Sequence, residues 1–95
     1  MGGTMEQNEQ QIERFLRSYD FMKLGQAINH GNWQAAAMTA QRMSDSAREL
    51  GLSSFVSQLN GIRQCILHKQ GKQAKDILAV MSAKRVQLLK QGGNS

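Results

Sequence analysis

Proline is absent from the 95 residues of this chain, and most of its nine glycines lie between periodic segments or at the termini. Proline breaks helices and glycine ends them, so this distribution favours helices. Strand signals are nearly missing as well, because no run alternates β-branched and aromatic residues and no Asn-Gly or Asp-Gly hairpin occurs. The composition predicts an all-α protein.

Cysteine is also scarce. A single residue, Cys65, excludes an intramolecular disulfide and fits a reducing compartment. No stretch approaches the roughly 18 apolar residues of a membrane span, and the polar first 14 residues lack the apolar segment of a signal peptide. We therefore expect a cytoplasmic protein without membrane contact.

Acidic residues are rare in the second half of the chain. Residues 1–50 carry five lysines and arginines against six acidic residues, whereas residues 51–95 carry seven against one, which together give the net charge of +5. A basic half of this kind could attract nucleic acid or an acidic protein face, and it could equally be a solvated helix surface.

Catalytic and metal-binding constellations are missing too. His30 and His68 fall at predicted helix ends, Cys65 is alone, and no glycine-rich phosphate loop occurs inside the chain. Nothing pairs a serine or cysteine with an oriented base, as nucleophilic catalysis requires. Cys65 and His68 form an i, i+3 pair, which we interpret as a buried thiol beside a histidine at a helix end. The sequence predicts no enzyme activity, no metal and no cofactor.

What remains is a set of amphipathic helical segments separated by glycine-centred breaks. Apolar residues at three- and four-residue steps predict four of them, at Gln7–Asn29, Trp33–Leu50, Ser54–Lys69 and Lys72–Gln91. The first contains two offset apolar stripes, which indicates a kink or a break near Ser18–Asp20. Asn32 is the predicted N-cap of the second, a serine caps the third, and Gly31 and Gly71 end the helices that precede them.

Long helices joined by short loops predict an up-down-up-down antiparallel four-helix bundle. The domain covers residues 7–91, with a disordered segment at residues 1–6 and a disordered tail at residues 92–95. The chain also contains a weak internal repeat, since Gly31 and Gly71 occupy similar positions between helices at a spacing of about 40 residues. Because of this repeat, a peptide-binding helical-repeat module of the tetratricopeptide kind remains an alternative to the bundle.

The second helix carries a more specific pattern. It follows the turn Gly31-Asn32-Trp33, and nine positions after Asn32 the chain reaches Gln41. The surrounding sequence is Ala40-Gln41-Arg42-Met43-Ser44-Asp45-Ser46-Ala47-Arg48-Glu49-Leu50-Gly51. It resembles the motif Ala-His-x-Leu-Lys-Gly-Ser-Ala-x-x-Leu-Gly of histidine-containing phosphotransfer (HPt) domains. The resemblance covers Leu24 to Leu89 and implies a four-helix bundle of bacterial-type signalling.

The departures from that motif are chemically important. Gln41 stands where the family has its phosphate-accepting histidine, Ser44 replaces a lysine, and Asp45 replaces a glycine. An amide is not nucleophilic enough to accept a phosphoryl group, and the carboxylate of Asp45 would repel one. The resemblance therefore implies an HPt-like module that cannot relay phosphate.

The helical period indicates where such a module would bind. The buried face of the second helix centres near Ala40 and Ala47, and the polar side opposite corresponds to the face on which the family docks a receiver domain. The predicted partner-binding residues are Gln34, Gln41, Arg42, Ser44, Asp45 and Arg48.

The predicted function is a non-catalytic protein-interaction module whose partner is a receiver domain or a kinase. The alternatives are the tetratricopeptide-like peptide binder and, third in order, a nucleic-acid binder that would use Lys72, Lys75, Lys84, Arg85 and Lys90 but has no surface aromatics for stacking.

Overall fold

The computed structural model describes the backbone of residues 2–93 and the side chains of residues 9–91. It is all-helical over this range. The helices are α1 (Gly2–Leu16), α2 (Asp20–Asn29), α3 (Trp33–Glu49), α4 (Ser53–Leu67) and α5 (Gly71–Gly93). Within the described residues, no helix combines the length and the apolar character needed to cross a membrane. The expected all-α class is confirmed.

Helical backbone extends into both segments that the sequence predicts to be disordered. Helix α1 begins at Gly2, before the predicted start at Gln7, and α5 ends at Gly93, after the predicted end at Gln91. Met1 and residues 94–95, which also fall in those segments, lie outside the described residues.

The long first segment is broken, as one of the two sequence-based alternatives predicted. Helix α1 ends at Leu16 and α2 begins at Asp20, so the break falls at residues 17–19. Ser18 Oγ accepts a hydrogen bond of 3.1 Å from the backbone N–H of Asp20. The first N–H groups of a helix have no partner within the helix, and this bond satisfies one of them at the start of α2.

The ends of the other helices agree only in part with the sequence analysis. Asn32 caps α3 as predicted, since its Oδ1 accepts a 3.2 Å hydrogen bond from the Ala35 N–H, and Gly31 ends α2 with a φ of 68°. The predicted serine cap of α4 is wrong, because Leu52 precedes that helix and makes no side-chain capping bond. The stop predicted at Gly71 is also wrong, because Lys69 takes the left-handed conformation and Gly71 begins α5.

Helices α2 to α5 enclose one apolar core. Helix α3 packs on α2 and α4, and α5 packs on α4 and α2. Helix α3 contributes small side chains to the centre, and Ala36, Ala40 and Ala47 are all fully buried. Since alanine projects only a methyl group, the neighbouring helices can approach the α3 backbone closely. Larger side chains, among them Leu24, Phe55 and Leu59, fill the space around α3.

Helix α1 joins this core through an aromatic cluster at one end. The rings of Phe15, Phe21 and Phe55 meet edge to face, with centroids 5.6 to 6.4 Å apart. Cations from α5 cover the cluster, since the Arg85 guanidinium lies 5.0 Å from the Phe21 centroid and Lys84 Nζ lies 5.7 Å from that of Phe55. The cluster connects α1, α2, α4 and α5.

Removal of the most deeply buried of the three rings should therefore destabilise the fold strongly. We expect Phe55→Ala to lower the free energy of unfolding by about 3–5 kcal/mol, because the ring is 1 % exposed and its loss leaves a cavity. Urea denaturation followed by circular dichroism measures this change. Met22→Ala is the control, since Met22 is 57 % exposed and its loss should cost no more than about 0.5 kcal/mol. Similar losses in the two variants would contradict the proposed core.

Candidate protein-docking surface

The outer side of α3 carries most of the residues that the sequence analysis selects. We call these residues the polar stripe: Gln34, Gln41, Arg42, Asp45 and Arg48. All are exposed except Gln41, which is partly buried. The fully buried alanines occupy the opposite side of the same helix. The predicted separation of a small apolar face from a polar face is thus present in α3.

Gln41 and Asp45 are joined on this surface. Gln41 Nε2 donates a 3.0 Å hydrogen bond to Asp45 Oδ1, and Arg48 Nη1 lies 3.5 Å from the same oxygen. All three side chains belong to one helix at i, i+4 and i, i+3 spacing. Exposed pairs of this kind contribute little to stability, about 0.5 kcal/mol or less each. Their effect is to order the centre of the stripe and to compensate the Asp45 charge locally.

Arg42 points toward α2. Its Nη2 and Nε donate to the two carboxylate oxygens of Asp20, at 2.9 and 3.3 Å. This hydrogen bond and the nearby negative charge raise the pKa of the Arg42 guanidinium above its ordinary value. The pair links the first turn of α2 to the second half of α3. Arg42 therefore already has an anionic partner before any other protein binds.

Ser44 does not belong to the surface, and its assignment to the partner-binding residues was wrong. Its side chain is fully buried, and its Oγ has no hydrogen-bond partner among the described residues. At 100° per residue, Ser44 lies only about 40° around the helix from Ala40. It therefore falls on the side of α3 that neighbouring helices cover, although it stands where the HPt motif has a lysine.

Helix α4 also contributes to this surface, which the pattern of α3 alone did not predict. A shallow depression lies between α3 residues, among them Met38, Gln41 and Asp45, and Arg63 of α4. A second depression continues it past Ala37, Arg63 and Leu67. We call the two together the α3–α4 groove. One signal was available in the sequence, because Met38 is an apolar residue on the polar side of α3 and is 63 % exposed.

Side chains that could hold a metal are dispersed. His30 and His68 are exposed next to the ends of α2 and α4, whereas Cys65 is buried. Across residues 9–91, no three histidine, cysteine or carboxylate side chains come together in a group that could bind an ion. The groups that the surface offers are amides, guanidinium groups, carboxylates and exposed apolar side chains, which can form hydrogen bonds, ion pairs and apolar contacts.

Comparison of this chain with protein-family models, with curated proteins and with solved structures finds no match. The resemblance to HPt domains therefore rests on the residues between Leu24 and Leu89 that carry it.

The buried hydroxyl of Ser44 gives a stability prediction. We expect Ser44→Ala to raise the free energy of unfolding by about 1–2 kcal/mol, because the change removes a buried group without a partner and improves helix propensity. Denaturant unfolding measures the gain. Ser57→Ala, at an exposed site in α4, carries the propensity effect alone and should gain about 0.5 kcal/mol or less. A loss of stability in the Ser44 variant would show that its hydroxyl is satisfied.

Proposed function

We propose that this chain is a cytoplasmic, non-catalytic adaptor of bacterial-type signalling, built as an HPt-like bundle that has lost its phosphate acceptor. Its partner is a receiver domain or a kinase, which it binds through the polar stripe of α3. The observation that carries this proposal is the position of Gln41, which lies in the middle of α3 on the side opposite the alanine face. This is the position at which the family holds its reactive histidine.

The proposed fold is the up-down-up-down antiparallel four-helix bundle, formed by α2 to α5. Contacts between distant residues support the alternating directions. Asp20, the first residue of α2, pairs with Arg42 in the second half of α3. Ser54, near the start of α4, accepts a hydrogen bond from Lys84 in the second half of α5.

The contacts between α2 and α5 support closure of the bundle. Arg85, late in α5, covers the Phe21 ring at the start of α2. At the other end, a Cβ added to Gly71 would lie 3.8 Å from Ile28, so the start of α5 is adjacent to the end of α2. A tetratricopeptide-like array would leave its last helix away from the first helix of the preceding pair. This alternative is therefore less well supported.

The chemistry of Gln41 is compatible with binding and not with phosphate transfer. A carboxamide has no basic nitrogen that could attack an aspartyl phosphate. Its N–H already donates to Asp45, whose negative charge lies one helical turn away. The two histidines are exposed next to helix ends, away from the middle of α3. The groups around Gln41 can hold a partner surface by hydrogen bonds and charge.

Phosphate transfer tests the loss of catalysis. With labelled phosphate supplied by a phosphorylated receiver or kinase, we expect no phosphohistidine on the wild-type chain. Gln41→His alone should restore little transfer, because Asp45 would still repel the phosphoryl group and the buried Ser44 supplies no cation. Efficient labelling of the single variant would contradict this reasoning, and phosphohistidine on the wild type would overturn the proposed function.

Direct binding tests the docking surface. Isolated receiver domains from the organism that encodes this chain are titrated against it by calorimetry, and we expect at least one to bind. Gln41→Tyr places a bulky side chain in the stripe and should weaken that binding about tenfold or more. Gln73→Tyr makes the same change at an exposed position of α5 and should leave the affinity unchanged. Equal effects of the two changes would exclude the polar stripe as the interface.

A further inference from the structure

Arg63 differs from the other arginines near the polar stripe. Arg42 pairs with Asp20 and Arg48 with Asp45, whereas Arg63 makes no ion pair with any carboxylate in the described part of the chain. It is also partly buried, although Arg42 and Arg48 are exposed. A guanidinium that has lost part of its hydration and has no anionic partner is in a less favourable environment than one that is hydrated or paired with a carboxylate. An external carboxylate would supply the missing interaction.

The position of Arg63 places this charge in the middle of the α3–α4 groove. The two depressions that form the groove share only Ala37 and Arg63 among their lining residues. Along α3 the groove runs from Trp33 to Glu49, which at 1.5 Å per residue corresponds to about 24 Å. This is the length of about four turns of helix, so the groove can accommodate one short helical segment.

The other residues that line the groove limit which side chains a bound helical segment can have. Met38 and Leu67 are 63 % and 71 % exposed and offer apolar contacts on either side of Arg63. Glu49 lies at one end of the groove and, like Arg63, makes no ion pair within residues 9–91. A carboxylate on the occupant is therefore favourable beside Arg63 and unfavourable beside Glu49.

We infer that the α3–α4 groove binds an amphipathic helix of a protein partner that presents a central carboxylate to Arg63 between two apolar side chains. Arg63 is the specificity-determining residue, because its planar guanidinium can bind a carboxylate through two parallel hydrogen bonds. The flexible side chain of Met38 can change its conformation to pack on the apolar side chains that flank this carboxylate. This inference rests on the proposed function and states the chemistry of the partner surface.

A pair of synthetic helical peptides of about 15 residues tests the inference. The first carries leucines at i, i+3 and i+7 and a glutamate at i+4, and the second differs only by glutamine at i+4. Fluorescence anisotropy gives the affinity of each peptide for the wild type, for Arg63→Gln and for Arg14→Gln. Arg14 is the control, since it is exposed on α1 and makes no ion pair within the described side chains. Nuclear magnetic resonance shifts of the backbone amides and the methionine methyl groups locate the peptide.

We expect the glutamate peptide to bind wild type and Arg14→Gln about tenfold more tightly than the glutamine peptide, with shifts at Met38 and Leu67. Arg63→Gln should bind the two peptides equally. Equal affinities on the wild type, shifts outside the groove, or no binding at millimolar peptide would each overturn the inference.

If a receiver domain binds and Gln41→Tyr weakens that binding while the glutamate peptide does not bind, only the inference fails. If the peptides behave as expected and no receiver binds, only the proposed function fails.

Discussion

The close packing of neighbouring helices against the alanine face of α3 is the constraint on which the rest of the structure depends. Ala36, Ala40 and Ala47 are completely buried, and their small size leaves room for larger side chains from α2 and α4, the helices that pack on α3. Because these small residues already satisfy the packing on one side of α3, the other side is free to remain polar. The buried face thus places the partly buried Gln41 and the exposed residues of the polar stripe on the outer side of α3.

A second constraint comes from the break at residues 17–19. It lets α2 pack beside α3 and α5, while Phe15 and Leu16 of α1 remain in the core. Arg85 connects the two segments, because it donates a hydrogen bond to the carbonyl oxygen of Leu16 and also covers the Phe21 ring. The last carbonyl groups of a helix lack intrahelical partners, so this contact is favourable as well as specific. It helps to hold the end of α1 against α5.

Most charges on the outer side of α3 are balanced by partners nearby. On α3, Asp45 accepts a hydrogen bond from Gln41 and forms an ion pair with Arg48, and Arg42 forms an ion pair with Asp20. Exposed pairs of this type contribute little to folding, so their main effect is to orient side chains and to reduce the net field at the surface. Arg63 and Glu49 make no ion pair among the described side chains.

The sequence alone determined the all-α class, the interruption near Ser18–Asp20, the Asn32 cap and the two faces of α3. Each depends on local rules, namely the absence of proline, the helical period and the chemistry of one capping side chain. Only the tertiary structure decided that Ser44 is buried, that Arg42 pairs with α2, that Lys69 and not Gly71 takes the left-handed turn, and that Arg63 lies in the groove. The period of one helix defines the centre of its buried face, but the flanks of that face are covered or exposed according to how neighbouring helices pack. Contacts such as Asp20 with Arg42 join residues far apart in the chain, and no local pattern encodes their register.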